Sequence, residues 1–273
     1  MNAHAPTVGE HLREWRQRRR LSQLDLALEA EISTRHLSFM ETGRSLPSRE
    51  MVLHLAERLD IPLRERNRLL IAAGYAPMYP ERAIDAPQLE PARRAMELVL
   101  AGHEPYPALA VDRHWNLVAA NQALQSLLAG VPPALLAPPV NVLRLSLHPE
   151  GVAPRPEGVA PRIDNYHEWR DHLLERLRRQ IAASGDPVLA RLLEELSAYP
   201  APPGADHPRQ EHDESASIAV PFRLRTEAGV LSFISTITVF GTPVDVTLSE
   251  LALESFFPAD ARTAAALQAG KAS

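Results

Sequence analysis

A series of short helices, each preceded by a capping residue, constrains the fold of this chain more than any other feature. Ser22, Ser33 and Ser48 each stand directly before a segment with helical spacing of apolar residues, where a serine accepts a hydrogen bond from a free backbone N–H. Gly43 and Gly74 follow two of the segments, as residues that end helices in a left-handed conformation do. The pattern predicts five helices, at residues 9–20, 23–30, 34–41, 48–59 and 63–73.

Two of these helices are short, and only Glu31-Ile32 separates them before Ser33. Two short helices joined so tightly are typical of an all-α helix-turn-helix domain, whose second helix enters the major groove of DNA by its N-terminal end. Gln23, at the start of the first helix, is placed to hold a phosphate together with the free N–H groups of that helix. The second helix begins with side chains that suit contacts with base edges and phosphates, namely Ser33, Thr34, Arg35 and Ser38.

Charge and composition agree with this interpretation and exclude several other classes of protein. Residues 1–82 carry 13 arginines against 11 acidic residues, whereas residues 83–273 carry 16 basic against 23 acidic residues, and a weakly basic part favours nucleic acid as a partner. The absence of cysteine excludes a disulfide scaffold and a thiolate metal site. The longest uncharged apolar stretch, residues 127–140, contains four prolines, so we expect no membrane helix and a cytoplasmic protein.

Four prolines between residues 77 and 91 end the helical pattern and mark a connector. They predict an N-terminal domain of residues 1–85 and a C-terminal domain of residues 86–273. In the second domain the spacing predicts strands at residues 107–112, 115–120, 217–225, 230–240 and 243–248 or beyond. It predicts helices at residues 90–102, 121–129, 141–148, 165–184 and from 186. Two strands, several helices and then three strands is the order of a PAS-like α+β domain, an antiparallel sheet covered on one face by helices.

The same residues carry a resemblance to a known family. The stretch LSQLDLALEAEISTRHLSFMETGRSLPSREM resembles the DNA-binding domain of lambda-repressor/Xre-like regulators, and its second half resembles the MmyB-like transcription regulators. The segments ALAVDRHWNLVAAN, NVLRLSLHPEG and STITVFGTPVDVTLSELALESFFPADARTAAAL resemble the ligand-binding domain of that family. The resemblance covers roughly residues 8–268 and implies a one-component regulator whose PAS-like domain accepts a small, lipid-like molecule.

The resemblance also implies roles for individual residues of the helix-turn-helix. Gln23 would hold the DNA backbone, Arg44 would contact phosphate, and three side chains would face the bases: Thr34, Arg35 and Phe39. Partial burial of Phe39 under the recognition helix is the alternative to contact with a thymine methyl group. Glu41 and Gly43 match a structural Glu-x-Gly at the end of that helix, whereas Glu31 departs from the small residue or glycine that is frequent in the turn.

Candidate ligand contacts of the second domain come from its predicted inner face and the segments beside it: Trp115, Asn121, Leu143, Arg144, Leu147, His148, Trp169, Phe222, Phe233 and Ile237. For the apolar residues an ordinary packed core is the alternative. Arg144 and His148 are four residues apart on a predicted helix, so they could jointly hold a carboxylate or form a surface pair. Asn121 begins a helix, which makes it an N-cap before it is a ligand contact.

Nothing in the sequence assembles an enzyme. His167 and His172 are five residues apart, whereas a zinc-protease helix needs a spacing of four, and no nucleophile elbow, phosphate loop or dinucleotide fingerprint is present. We therefore expect no catalytic residue, cofactor or metal. A tandem repeat, residues 149–155 followed by 156–162, is most simply replication slippage in a surface loop, although it could alter access to a pocket.

These features predict a sequence-specific transcription regulator that binds a double-stranded DNA operator and, through its C-terminal domain, a small apolar ligand such as a fatty acid. Since one recognition helix covers only a few base pairs, we expect a homodimer on a two-fold related site. The alternative is a constitutive DNA-binding regulator whose C-terminal domain only dimerises or docks a protein partner.

Overall fold

The structure is a computed structural model that describes residues 6–128, 131, 133–148, 162–201, 220–226 and 228–270. The chain divides into two compact units. The helical unit comprises Met1–Ala83, Ala182–Ser184 and Thr242–Ser249, and the sheet unit comprises Ile84–Ile181, Gly185–Gly241 and Glu250–Ser273. Most of the tandem repeat, residues 149–161, lies outside the described residues.

The five predicted N-terminal helices are confirmed: α1 (Val8–Arg18), α2 (Gln23–Glu29), α3 (Thr34–Glu41), α4 (Arg49–Arg58) and α5 (Leu63–Ala72). The hydroxyl groups of Ser22, Ser33 and Ser48 each accept a hydrogen bond from the backbone N–H three residues later, which is the capping that the sequence predicts. Gly43 and Gly74 have φ of +73° and +84°, so both take the left-handed conformation that ends a helix.

Helices α1 and α3 approach each other closely at Gly9. A Cβ atom on this residue would lie 2.4 Å from the carbonyl oxygen of Met40 and 2.7 Å from that of Glu41. The missing side chain therefore sets the spacing at which α1 covers the end of α3. The core that forms beneath includes fully buried residues of four helices: Leu12, Leu26, Leu37, Met40, Val52 and Leu55.

After α5 the described residues form seven more α-helices, two short 3-10 helices and a five-stranded sheet. In chain order the α-helices and strands are α6 (Glu90–Gly102), β1 (Ala108–Val111), β2 (Leu117–Ala120), α7 (Gln122–Leu127), α8 (Val142–Leu147), α9 (Tyr166–Ser184), α10 (Pro187–Ala198), β3 (Phe222–Thr226), β4 (Gly229–Val239), α11 (Val246–Ser249), β5 (Ala252–Pro258) and α12 (Ala261–Gly270).

The sheet is antiparallel throughout and its strand order is β2-β1-β5-β4-β3. The predicted α+β fold with an antiparallel sheet is thus confirmed, but helices cover both faces rather than one, because α6 packs on Ala108 and Ala110, which alternate along β1 with Leu109 and Val111 of the main core. The main core lies between the sheet and helices α8, α9 and α10, and its buried members include Leu109, Trp115, Leu147, Trp169, Leu177, Phe233 and Phe256. A smaller cluster joins α6 to β1 and β5 through Met96, Leu100, Ala108, Ala110 and Leu253.

The position of the last predicted strand, residues 243–248 or beyond, is wrong. Residues 246–249 form helix α11, and the strand is β5, between β1 and β4. The side chain of Asp245 explains the helical turn, because its carboxylate accepts a hydrogen bond from the backbone N–H of Thr247 at 2.9 Å and so competes with an extended ladder. Pro243 contributes as well, since it has no N–H to donate to a neighbouring strand.

Candidate functional site

The exposed surface of α3 combines an aromatic ring with two arginines. The guanidinium groups of Arg35 and Arg44 lie over the ring of Phe39, at 5.2 Å and 5.8 Å from its centroid. Arg35 and Arg44 are exposed, whereas Phe39 is half-buried, as are Thr34 and Ser38. Helix α3 and the residues after it therefore present two cations over one ring, together with two hydroxyl side chains. These groups can contact phosphates, base edges and thymine methyl groups.

A buried ion pair fixes the position of α3. Glu41, at the end of this helix, accepts hydrogen bonds from Arg16 Nε at 2.6 Å and Arg16 Nη2 at 2.9 Å. Gln23 Nε2 donates to the same carboxylate at 2.8 Å. The predicted structural role of Glu41 is thus confirmed, because its carboxylate joins α1, α2 and α3. The amide nitrogen of Gln23, which the sequence assigns to a DNA phosphate, is engaged inside the protein.

The turn between α2 and α3 contains a residue in an unfavourable conformation. Glu31 has φ of +54°, in the left-handed region where a side chain other than that of glycine is disfavoured. This explains why a glycine or small residue would be frequent at this position. The turn is formed despite the glutamate, with Ser33 capping α3 two residues later.

Most of the predicted ligand contacts of the second domain meet in one buried cluster. Trp115, Leu143, Leu147, Trp169 and Phe233 are all buried there, and Phe222 packs against them. The ring of Phe222 lies 5.0 Å from that of Trp169 and 6.2 Å from that of Phe233. Ile237 differs, because it is 47% exposed and does not join the cluster. It lies on β4 beyond the residues that pair with β3, next to Glu254 of β5.

Arg144 and His148, the predicted carboxylate site, both meet a pair of residues on and just after α10. Arg144 binds Glu195 with two hydrogen bonds of 2.7 Å, and Tyr199 donates to the same carboxylate at 2.6 Å. The ring of His148 packs edge-on against Tyr199 at 5.3 Å. The bonded guanidinium lowers the pKa of the Glu195 carboxyl. Burial and the bond to Glu195 raise the pKa of Tyr199 to about 12. A ligand carboxylate at Arg144 would therefore compete with an ionised partner.

Asn121 is fully occupied as a structural residue. Its side-chain oxygen accepts from the backbone N–H of Leu124 and of Ala108, and its amide nitrogen donates to the carbonyls of Tyr106 and Leu100. The N-cap role that the sequence predicts is confirmed. A ligand would have to displace one of these bonds to contact this side chain.

Three residues around the predicted contact Trp115 escaped the sequence analysis, namely Arg176, Gln180 and Glu254. Trp115 has φ of +67°, and its indole N–H donates to Gln180 Oε1 at 2.8 Å. The guanidinium of Arg176 lies 4.3 Å from the centre of the Trp115 ring, and its Nη1 bonds Glu254 Oε1 at 3.1 Å. The four-residue spacing of Arg176 and Gln180 indicates only that both lie on one face of α9. Their partners Trp115 and Glu254 are distant in sequence, so the spacing does not reveal these contacts.

Other kinds of site are not evident in the part of the chain that the structure describes. Within it, no three histidine or acidic side chains converge as metal ligands would. None of the described helices combines the length and apolar character that crossing a bilayer requires. The surfaces around α3 and the buried cluster of the sheet unit therefore remain the two candidate sites.

Comparison with known proteins gives a family match for each of two regions of the chain. Residues 92–269, more than half of the protein, match the MmyB-like transcription regulator ligand binding domain. Residues 12–66 match the helix-turn-helix family. No curated protein matches the sequence significantly. The first match covers most of the sheet unit, including its buried cluster. The second covers most of α1, all of α2 to α4 and the start of α5.

Proposed function

The chain belongs to the family of MmyB-like transcription regulators, and from this premise we propose how it recognises DNA and what it senses. We propose a cytoplasmic homodimer that reads an operator through α3 and changes its DNA affinity when the C-terminal domain binds an apolar, fatty-acid-like ligand. Residues 1–85 form the DNA-binding domain in this proposal, and residues 86–273 form the ligand-binding domain.

The arrangement of Arg35, Phe39 and Arg44 carries the proposal for DNA. Arginine is the side chain that most often reads guanine, through two hydrogen bonds in the major groove. Arg35 is exposed in the first turn of α3, the part of a recognition helix that contacts base edges. We assign base contacts to Thr34, Arg35 and Phe39, further polar contacts to Ser33 and Ser38, and phosphate contacts to Arg44 and Gln23.

Two variants distinguish contacts with DNA bases from contacts with the DNA backbone. Arg35→Ala should cost about 1–3 kcal/mol of operator binding and relax the sequence preference. Gln23→Ala should weaken operator and random DNA alike, because a phosphate contact carries no sequence information. Since Gln23 also bonds Glu41, the thermal unfolding of both variants is measured beside their affinities. Equal losses of Arg35→Ala on operator and random DNA would remove Arg35 from the reading role.

The aromatic cluster around Trp169 and Phe222 supports the ligand proposal. Its rings and leucines offer an apolar surface to an acyl chain, at about 0.8 kcal/mol for each methylene buried. A ligand can change the DNA affinity only by as much as it prefers one state of the dimer over another. Coupling free energies between two sites are typically about 1–3 kcal/mol, which changes the DNA affinity roughly 5- to 150-fold. Fatty acids and their methyl esters of increasing length, added to full-length protein on operator DNA, test this. No binding and no shift with any of them would refute it.

The alternative, a C-terminal domain that only dimerises, has one specific observation in its favour. Ile234 of β4 and Phe257 of β5 are paired across the two strands, lie on the same face of the sheet and are both exposed. Exposed apolar groups on neighbouring strands suit contact with a second copy. Native mass spectrometry of purified protein distinguishes the two functions, because a retained mass of a few hundred daltons on each chain supports sensing.

A further inference from the structure

The ring of Phe39 supports the arginine at the start of α3. Arg35 and Phe39 are four residues apart on this helix, so their side chains lie on one face of it. The guanidinium carbon of Arg35 lies over the ring, 5.2 Å from its centroid. The ring attracts the cation, whereas the N–H donors of a guanidinium lie in its own plane and stay available for hydrogen bonds. Phe39 therefore holds Arg35 without using the groups that read a base.

The backbone after α3 fixes Phe39 itself. Its carbonyl oxygen accepts hydrogen bonds from the backbone N–H of Arg44 at 2.8 Å and of Ser45 at 3.1 Å. Gly43, with φ of +73°, makes this reversal of the chain possible. The guanidinium of Arg44 then lies over the same ring, 5.8 Å from its centroid. Phe39 is thus held from two sides, and as a half-buried residue it still exposes part of its surface.

The short distance between Arg35 and Phe39 limits which base pairs they can contact together. Successive base pairs of DNA are about 3.4 Å apart along the helix axis. Two groups 5.2 Å apart therefore span less than two such steps. Arginine reads guanine through O6 and N7, and phenylalanine contacts the methyl group of thymine. Because guanine and thymine belong to different Watson–Crick pairs, the two contacts fall on neighbouring base pairs.

We propose that Arg35 and Phe39 jointly read one step of two base pairs. Arg35 bonds a guanine, and Phe39 contacts the methyl group of a thymine in the adjacent pair. Phe39 is also the positioning residue for Arg35, so the two base preferences are coupled. This inference rests on the proposed function, since it needs α3 in the major groove, and it specifies the base composition of one step of the operator.

Base analogues in the operator that the wild-type protein selects test this step, with affinities measured by fluorescence anisotropy at one salt concentration. 7-Deazaguanine removes the N7 acceptor of a guanine, and uracil removes the methyl group of a thymine. At one guanine the analogue should weaken wild-type binding about 5-fold or more and leave the affinity of Arg35→Ala unchanged. Uracil in an adjacent pair should weaken wild-type binding about 3- to 5-fold, which corresponds to burial of one methyl group.

Two substitutions of Phe39 test the coupling. Phe39→Leu keeps an apolar group for the thymine and removes the ring beneath Arg35, so the effect of 7-deazaguanine should become about 2- to 5-fold smaller. Phe39→Tyr retains the ring and should retain the effect. Arg44→Ala is the matched control, because it removes the other cation over the ring and should weaken binding to natural and substituted duplexes alike.

The analogue experiments use the wild-type protein and Arg35→Ala, whose side chain is exposed, so they remain decisive if a Phe39 variant does not fold. No sensitive thymine in the pairs beside the guanine that depends on Arg35, or an undiminished effect of 7-deazaguanine in Phe39→Leu, would overturn the joint reading and leave the proposed function standing. Selection of no operator at all by the wild-type protein would instead overturn the proposed function.

Discussion

The contact of α1 with the end of α3 makes Gly9→Ala a sensitive test of the helix-turn-helix packing. The added methyl group would meet the Met40 carbonyl oxygen at 2.4 Å, against about 3.4 Å for ordinary contact, so α1 must move by about 1 Å. Because the obstacle is backbone rather than a flexible side chain, the neighbour cannot simply turn away. The movement also pulls Arg16, which α1 carries, away from Glu41.

The expected magnitude follows from two opposing contributions. Overpacking a close contact costs about 1–3 kcal/mol, and replacing glycine by alanine in a helix recovers at most about 1 kcal/mol. A Cβ on Gly9 would lie within 3 Å of three backbone atoms, so we expect the destabilisation to be at the upper end of the range of about 1–3 kcal/mol. We therefore expect a net loss of about 1–2 kcal/mol in the stability of the helical unit, a factor of roughly 5–30 in its opening equilibrium.

Hydrogen exchange read by mass spectrometry localises this effect, because peptides from residues 8–41 report on the helical unit alone. They should exchange roughly 5–30 times faster in Gly9→Ala than in the wild-type protein. Gly102→Ala at the end of α6 is the matched control, since a Cβ there meets no atom within 4 Å. Unchanged or slower exchange of residues 8–41 in Gly9→Ala would refute the close packing of α1 on α3.

Two further predictions concern the turn before α3 and the half-buried His172 of α9. Glu31→Gly should raise the free energy of unfolding by about 0.5–1 kcal/mol in urea denaturation, because glycine tolerates the left-handed φ of +54°. Asp60, with φ of +46°, offers the matched variant Asp60→Gly. A lower free energy of unfolding in Glu31→Gly would contradict the prediction. Burial lowers the pKa of His172, which means that the unfolded chain binds its proton more readily, so stability should fall as the pH drops from about 7 to 5. His172→Phe should flatten that fall, and an identical slope in both proteins would refute the prediction.

Local signals made the helical unit predictable. The capping serines, Gly43 and Gly74 act within a few residues of their own position, so the sequence alone predicted every helix boundary of α1 to α5 to within about two residues. Gly9 escaped notice because its importance depends on a contact with Met40, thirty-one positions away. The left-handed φ of Glu31 was suggested only by its departure from the family pattern.

The sheet unit was less predictable because its decisive contacts join distant residues. Arg144 appeared available for a ligand until folding brought Glu195 to it. The alternation along β4 predicted an inward Ile237, but alternation does not reveal which part of a sheet the helices cover. The Asp245 side chain reversed the assignment of residues 243–248, since a local bond to Thr247 outweighed the extended pattern.

Selection of DNA from a random pool by the full-length protein tests the central claim most directly. The affinity for the selected site is then compared with that for a scrambled duplex of the same composition at one fixed salt concentration. A regulator that reads sequence through α3 should prefer the selected site by about 10³-fold or more. Equal affinity for the two duplexes, with no consensus in the selected pool, would contradict the account.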